Sequence, residues 1–483
     1  MTQIKDLHPR LVWEQFDAIT RVPRPSKREE QIIEFLIAFA KQHSLEWQRD
    51  DIGNVVIRKP ATAGYENHQT VILQSHMDMV CEKNSDVQFD FLTEPIKTKI
   101  DGDWVKAEGT TLGADCGIGM AAAMAMLIDP EVEHGPLEAL FTVDEETGLT
   151  GAFNLGEGML KGKYLINLDS EDEGEIFIGC AGGVDTVATY KCEREAAPAG
   201  YNFYRFDVSN LLGGHSGDDI DKGRANSNKI VARLMYEAQS AYDARLSYID
   251  GGNLRNAIPR EAYIVVGVPA DKSEAFCQRC TQFIGEVKAE FAETEPEMHL
   301  SLSETAAVDT VFTTSSQSAL IGALIGVANG VLAMSASVKG LVETSTNLAS
   351  VKCPDAESVV VTTSQRSSSE SAKLCAKQTV EAVFLLSGAE VEHSDGYPGW
   401  SPDVNSHLLH ATVESYERLF NTQPRVRAVH AGLECGLFLE KYPHLEMVSF
   451  GPTIRGVHSP DERLEIPTVD KFWRLLCDVV KNI

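Results

Sequence analysis

Positive charge is what this chain is shortest of. Lysine and arginine number 43 against 71 aspartates and glutamates, and the formal charge is −28. A nucleic-acid binder needs a basic footprint to displace counterions from phosphate, so no nucleic-acid partner is expected. The acidity itself reads as a solubility device. Long apolar runs are also missing: no stretch approaches the ~18 residues of a membrane span, so no membrane partner is expected either. The opening residues Met1-Thr2-Gln3-Ile4-Lys5-Asp6 have neither the basic nor the apolar region of a signal peptide. Ten cysteines are scattered without an export signal, which reads as reduced thiols in a cytoplasmic protein. Cys277 and Cys280 form a lone C-x-x-C in a predicted helix, 272–291. With no second pair nearby, a structural role is expected for them.

The rest of the composition is that of an ordinary globular protein, 43% hydrophobic and 24% charged over 483 residues. That length predicts two or three domains. Ser26 and Glu29 form a capping box ahead of the periodic run Ile32-Ile33-Phe35-Leu36-Phe39, which predicts an amphipathic helix. Strands are expected at 54–58, 70–74, 137–143 and 164–168, with a small-residue helix at 117–128. This alternation predicts an α/β domain with a largely parallel or mixed sheet. From about Gly179 the rhythm changes. Strands at 204–208, 262–268 and 359–363 and helices at 223–240 and 369–386 imply a separate core. The last stretch returns to the first pattern, with helices at 408–420 and 469–480 and a strand at 445–450. No internal repeat is clear enough to prove a duplication.

Five short segments carry candidate chemistry: Ser75-His76-Met77-Asp78, Gly113-Ala114-Asp115-Cys116-Gly117, Asp144-Glu145-Glu146-Thr147-Gly148, Asn167-Leu168-Asp169 and Val457-His458-Ser459-Pro460. Each follows an apolar run or opens a helix. Open α/β sheets place their sites at the carboxyl ends of strands. Two imidazoles and several carboxylates make a mixed N/O donor set, suited to zinc and related divalent ions. Asp78, two residues beyond His76, lies on the same side of an extended chain and can orient the imidazole. Asp115, between glycines, could bridge two metals. Glu145 and Glu146 are adjacent with diverging side chains, so one can bind metal while the other works on water. If His458 joins His76 at one site, the first and last segments form one domain and the middle is an insertion of roughly 210 residues, within domain range.

Two other motifs fail on inspection. Gly117-Ile118-Gly119 lacks the third glycine of a dinucleotide loop. Gly214-His215-Ser216-Gly217-Asp218 carries Asp218 where a nucleophile elbow needs glycine. His215 is better read as a polarising group. His407 and His410 fall in a helical segment away from any acidic set and are left out.

The five segments in this order, with Gly213–Gly217 and His430-Ala431-Gly432-Leu433-Glu434-Cys435-Gly436, resemble the co-catalytic zinc exopeptidases that include carboxypeptidase G, aminoacylases and carnosinases. Within them the chain is similar to the bacterial aminoacyl-histidine dipeptidases. The resemblance implies a two-domain α/β zinc exopeptidase: a mixed-sheet catalytic domain (1–182 and 398–483) carrying an inserted α+β lid domain (183–397). It implies two divalent ions, zinc with Co²⁺ or Mn²⁺ able to substitute. His76, Asp115 and Asp169 would surround one; Asp115, Glu146 and His458 the other. Asp78 would orient His76, Glu145 would be the general base, and His215 would polarise the scissile carbonyl. Asn256, Arg366 and Gly432 resemble substrate-binding positions. Dipeptides are the implied substrates, Xaa-His among them, and a homodimer is expected. An N-acyl amino acid deacylase or desuccinylase of the same superfamily, or a non-catalytic metal-binding scaffold, are the alternatives.

Overall fold

The structure, a computed structural model, describes residues 3–483. The chain forms two compact units. One comprises the chain up to Gly179 with Pro402–Ala428 and Leu433–Ile483; the other comprises Cys180–Ser401 with Val429–Gly432. Each has its own buried apolar cluster.

The first unit is built on an eight-stranded sheet. Its order is Glu46–Arg49, Val55–Lys59, Leu137–Thr142, Val71–His76, Tyr164–Asn167, Glu446–Ser449, Glu175–Cys180 and Arg425–Val429. The four central strands, Leu137–Thr142 to Glu446–Ser449, run parallel. Val55–Lys59 and Glu175–Cys180 flank them antiparallel. Val71–His76 and Leu137–Thr142 are buried at every position, as parallel strands covered on both faces must be. Register pairs His76 with Thr142 and Gln74 with Asn167, so three strands end together at one edge.

Helices cover this sheet. Glu30–Gln42 buries Ile32, Ile33, Leu36, Phe39 and Ala40, the 3.6-residue stripe seen in the sequence. Each fully buried Ile or Leu there contributes roughly 1.5–3 kcal/mol. The expected capping box does not form. Glu29, the N-cap residue, makes no side-chain cap bond. The Ser26 hydroxyl donates to Asp78 (2.8 Å), and Glu29 accepts from the Lys27 and Asp144 amides. Long-range polar partners outcompete the local cap because they are themselves buried and must be satisfied. The helix Ala114–Ile128 is buried almost throughout, its small residues allowing close approach to the sheet. The closing helix Ile466–Asn482 presents Val469, Phe472, Leu475, Leu476, Val479 and Val480 to the same core.

The second unit carries a nine-stranded sheet whose pairings are antiparallel. The helices Ser227–Ala241, Ser273–Glu290, Thr314–Gly326 and Glu370–Leu386 complete its core. The strand expected at 359–363 runs from Ser358 to Ser367, so Arg366 lies inside it and not beyond it. The Ser- and Thr-rich tail of that strand is polar in composition yet buried, which hid its length from a hydrophobicity reading. Cys277 and Cys280 are free thiols on the helix Ser273–Glu290.

Candidate metal centre

The three strand ends deliver the donors. His76 is the last residue of its strand. Thr142 ends the next, and Asp144 in the left-handed region (φ 49°) turns the chain into the short helix Glu145–Gly148. Glu145 and Glu146 therefore sit on a helical turn, not at a strand end where side chains alternate. Both reach His76, within a group whose ligand atoms lie within 4.8 Å of one another. Asn167 ends the third strand, two residues before Asp169. Asp115 sits in the first turn of Ala114–Ile128, and His458 (φ 59°) follows the strand Ile454–Arg455.

The distances define one cluster. His76 Nε2 lies 3.0 Å from Asp115 Oδ1 and 3.3 Å from Asp169 Oδ1. His458 Nε2 lies 3.2 Å from Asp115 Oδ2 and 2.9 Å from Glu146 Oε2. Asp115 thus presents one oxygen to each imidazole. Asp78 Oδ1 stands 3.3 Å from His76 Nδ1, while its carboxylate accepts the backbone amides of Glu145 (3.0 Å) and Glu146 (3.3 Å). One carboxylate fixes both the ring and the turn that carries the paired glutamates.

Four supporting side chains were not legible beforehand. Arg24, 2% exposed, donates to the carbonyls of Met77, Asp78 and Gly113, tying two donor segments together. Ser26 bonds Asp78. Glu462 accepts the amides of Leu112, Gly113, Ala114 and Asp115 at 2.7–3.3 Å and anchors the turn presenting Asp115. Glu434 accepts from Gln74 Nε2 (2.6 Å) and Thr142 Oγ1 (2.8 Å), beneath the strand ends. The sequence singles out Ser26, but as a helix cap, and Glu434 and Glu462 lie in or beside motifs already singled out; Arg24 carries no signal.

The electrostatics ask for cations. His76, His458, Asp78, Asp115, Glu145, Glu146, Asp169, Glu171 and Glu434 share this neighbourhood, seven carboxyls to two imidazoles. Burial opposes charge on His76, yet Asp169, Asp115 and Asp78 push its pKa well up. Hydrogen bonds to Asp115 and Glu146 raise His458 to about 11. Burial would raise Asp115, but bonds from His458 and His76 prevail and lower it. Burial, then neighbouring carboxylates, lifts Asp169 to about 6 and Glu171 to about 8, and pushes Glu145 well up. Glu146 Oε1 is buried with no hydrogen-bond partner, and Asp169 Oδ1 makes no well-formed hydrogen bond beyond its 3.3 Å approach to His76. Buried carboxylate oxygens left without donors are costly unless a cation is their partner. The donor set therefore fits metal ions: mixed imidazole and carboxylate, with Asp115 common to both histidines.

The remaining expected site residues lie in the second unit. His215 is half-buried, its Nδ1 3.3 Å from Asp218 Oδ2 and its backbone amide donating to Asp219 (2.9 Å). Asn256 is exposed, and its carbonyl accepts the Ser216 amide at 2.8 Å. Ser216 is 1% exposed with its hydroxyl against Arg366 Nε (3.4 Å), a poor station for a nucleophile. Arg366 is 6% exposed, and Gly432 lies against the Tyr397 ring.

Comparison with known proteins identifies the family. Residues 72–482 match Peptidase family M20/M25/M40. The cytosol non-specific dipeptidase of Escherichia coli K12 is 44% identical over 483 residues, covering 100% of this chain and 99% of that one. The crystal structure of aminoacylhistidine dipeptidase from Vibrio alginolyticus is 43% identical with a TM-score of 0.95, covering 100% and 98%. Aminopeptidase PepT from Bacillus cereus shares the fold at 16% identity, TM-score 0.57, with 98% of both chains covered. The chain belongs to the M20/M25/M40 peptidase family, and the resemblance drawn from its motifs holds.

Proposed function

We propose that this protein is a cytosolic, metal-dependent dipeptidase acting on unblocked dipeptides, Xaa-His among them. The observation that carries the reading is the cluster of two imidazoles and buried, donor-less carboxylates at the ends of parallel strands. The full-length similarity to two dipeptidases supports the substrate class. His76, Asp115 and Asp169 would hold one divalent ion and Asp115, Glu146 and His458 a second. Zinc is the expected ion, with Co²⁺ or Mn²⁺ as substitutes. When bound, such ions supply Lewis acidity toward water and toward the scissile carbonyl.

The protein's own groups do the rest. Glu145 accepts a proton from the attacking water and returns it to the departing amine. Asp78 keeps His76 oriented and Glu145 on its turn. His215 donates to the oxygen of the scissile carbonyl as charge develops there. Arg366 grips the free carboxylate, and Asn256 and Gly432 line the substrate's path. The 183–397 segment acts as the recognition insert, and the working form is a homodimer. The test is a panel of free dipeptides against their N-acetylated amino acid counterparts, on zinc-loaded protein. Turnover of the dipeptides is expected. Preference for the acylated compounds would replace this reading with a deacylase.

A further inference from the structure

Arg366 has a neighbour whose geometry is specific. On the antiparallel sheet of the second unit, Arg366 pairs directly with Gly183. Gly183 in turn bridges Tyr397, exchanging both backbone hydrogen bonds with it (3.0 and 2.9 Å). The three residues form one row across the sheet, and residues in register project to the same face. Arg366 and Tyr397 stand two strand spacings apart, roughly 9.5 Å along the row. They meet because the residue between them has no side chain. A methyl group on Gly183 would fall 2.7 Å from Tyr397 Cζ and 2.8 Å from its hydroxyl oxygen. On the ring's other edge, a methyl on Gly432 would fall 2.9 Å from Tyr397 Cε2. Two glycines thus seat the ring, and Lys373 Nζ holds the Tyr397 carbonyl at 2.6 Å.

The ring ends on the guanidinium. Arg366 Nη1 donates to the Tyr397 hydroxyl at 2.8 Å, and Nε lies 3.4 Å from Ser216 Oγ. Among the described residues no carboxylate pairs with Arg366, and Nη2 has no acceptor. A buried guanidinium held by neutral hydroxyls leaves a donor edge free for an incoming anion.

We infer that Tyr397, seated between Gly183 and Gly432, is the positioning residue that aims the Arg366 guanidinium at the carboxylate of the substrate. This rests on the reading of Arg366 as the carboxylate clamp. It also gives Gly432 a role: the residue leaves room for the ring.

The experiment compares a free dipeptide with the same dipeptide amidated at its C-terminus, using wild type, Tyr397→Phe, Gly183→Ala, Arg366→Ala and the Tyr397→Phe/Arg366→Ala double variant. Tyr397→Phe keeps the ring and removes one bond to a charged group. KM for the free dipeptide should rise about ten-fold with kcat little changed, and the amide should be unaffected. Gly183→Ala, which displaces the ring, should give the same split. Tyr397→Phe should add nothing once Arg366 is alanine. An undiminished effect of Tyr397→Phe in the Arg366→Ala background, an equal effect on the amide, or an unchanged KM would overturn the positioning role. Equal losses by Arg366→Ala itself on both substrates would instead overturn the clamp reading.

Discussion

The two units solve opposite electrostatic problems. The first gathers carboxylates at the ends of parallel strands, several of them buried and some with oxygens that no donor reaches. The second buries a guanidinium that pairs with no carboxylate among the described residues and leans only on hydroxyls. In each case buried charge of one sign exceeds the opposite charge the protein sets beside it: two imidazoles among seven carboxyls in the first unit, and, among the described residues, no ion-paired carboxylate on Arg366 in the second, where Asp218 acts only from a distance. The scaffolds differ accordingly. Parallel strands end together and open into turns, so His76, Glu145 and Asp169 emerge near one another from distant parts of the chain. The antiparallel sheet instead places its charge within a strand, one residue from its end, in a register row where one missing side chain makes room. Under the proposed function, each surplus of buried charge faces a ligand of the opposite sign: cations for the first unit, an anion for the second.

The most severe way to break this comparison is to remove the cations. Chelation should abolish dipeptide hydrolysis, and Zn²⁺, Co²⁺ or Mn²⁺ should restore it. Elemental analysis of fully loaded protein should find close to two ions per chain. Full activity in metal-free protein would mean that the surplus of carboxylates serves some other end. Next in size is the division of labour on the Glu145–Gly148 turn. Glu145→Gln should lower kcat by about 10²–10⁴-fold with metal content retained. Glu146→Gln, which loses a partner 2.9 Å from His458, should lower metal occupancy as well as rate. The reverse pattern would exchange the two roles. Smaller again is the anion side. Arg366→Ala should reduce kcat/KM for a free dipeptide by about 10- to 150-fold and spare the amidated substrate.

Much of the cation side was legible because its signals are local. An apolar run followed by His76-Met77-Asp78 or by Asp144-Glu145-Glu146 announces a strand and what its end carries. Seven residues picked from such signals come together within a few ångströms. What stayed hidden was the support. Arg24 reaches the carbonyls of Met77 and Asp78 across more than fifty residues of chain, and no short-range pattern predicts such a partner. The Ser26–Glu29 capping box misled for the same reason, a local rule overridden by long-range burial. On the anion side, Ser358–Ser367 hides polar residues inside a strand. Its row partner Tyr397 is visible only once register is known.

The finest test asks whether the first unit's unmatched carboxylates weaken it when no cation is bound. Glu434 is the cleanest probe, since it touches Gln74 and Thr142 and no donor residue directly. Burial pushes its pKa up to about 8, while Thr142 and Gln74 act to lower it. The unfolded chain releases this proton near the ordinary glutamate value of about 4.3, whereas the folded chain keeps it until about pH 8. Between those limits the native state binds more protons, so raising the pH favours unfolding. The contribution is fully present below the lower value and lost as pH climbs through the upper one. One such group sets a slope of at most about 1.4 kcal/mol per pH unit. Glu434→Gln still offers Thr142 and Gln74 an acceptor but cannot ionise. In chelator, urea-unfolding midpoints measured from pH 5 to 9 should therefore fall less steeply for the variant. Its advantage should widen toward pH 8 and then level off, and adding Zn²⁺ should shrink it, because a bound cation favours the ionised carboxyl. Parallel curves for the two proteins would show that Glu434 is already ionised in the fold. The excess negative charge would then be relieved by solvent, and the contrast between the two units would lose its energetic basis.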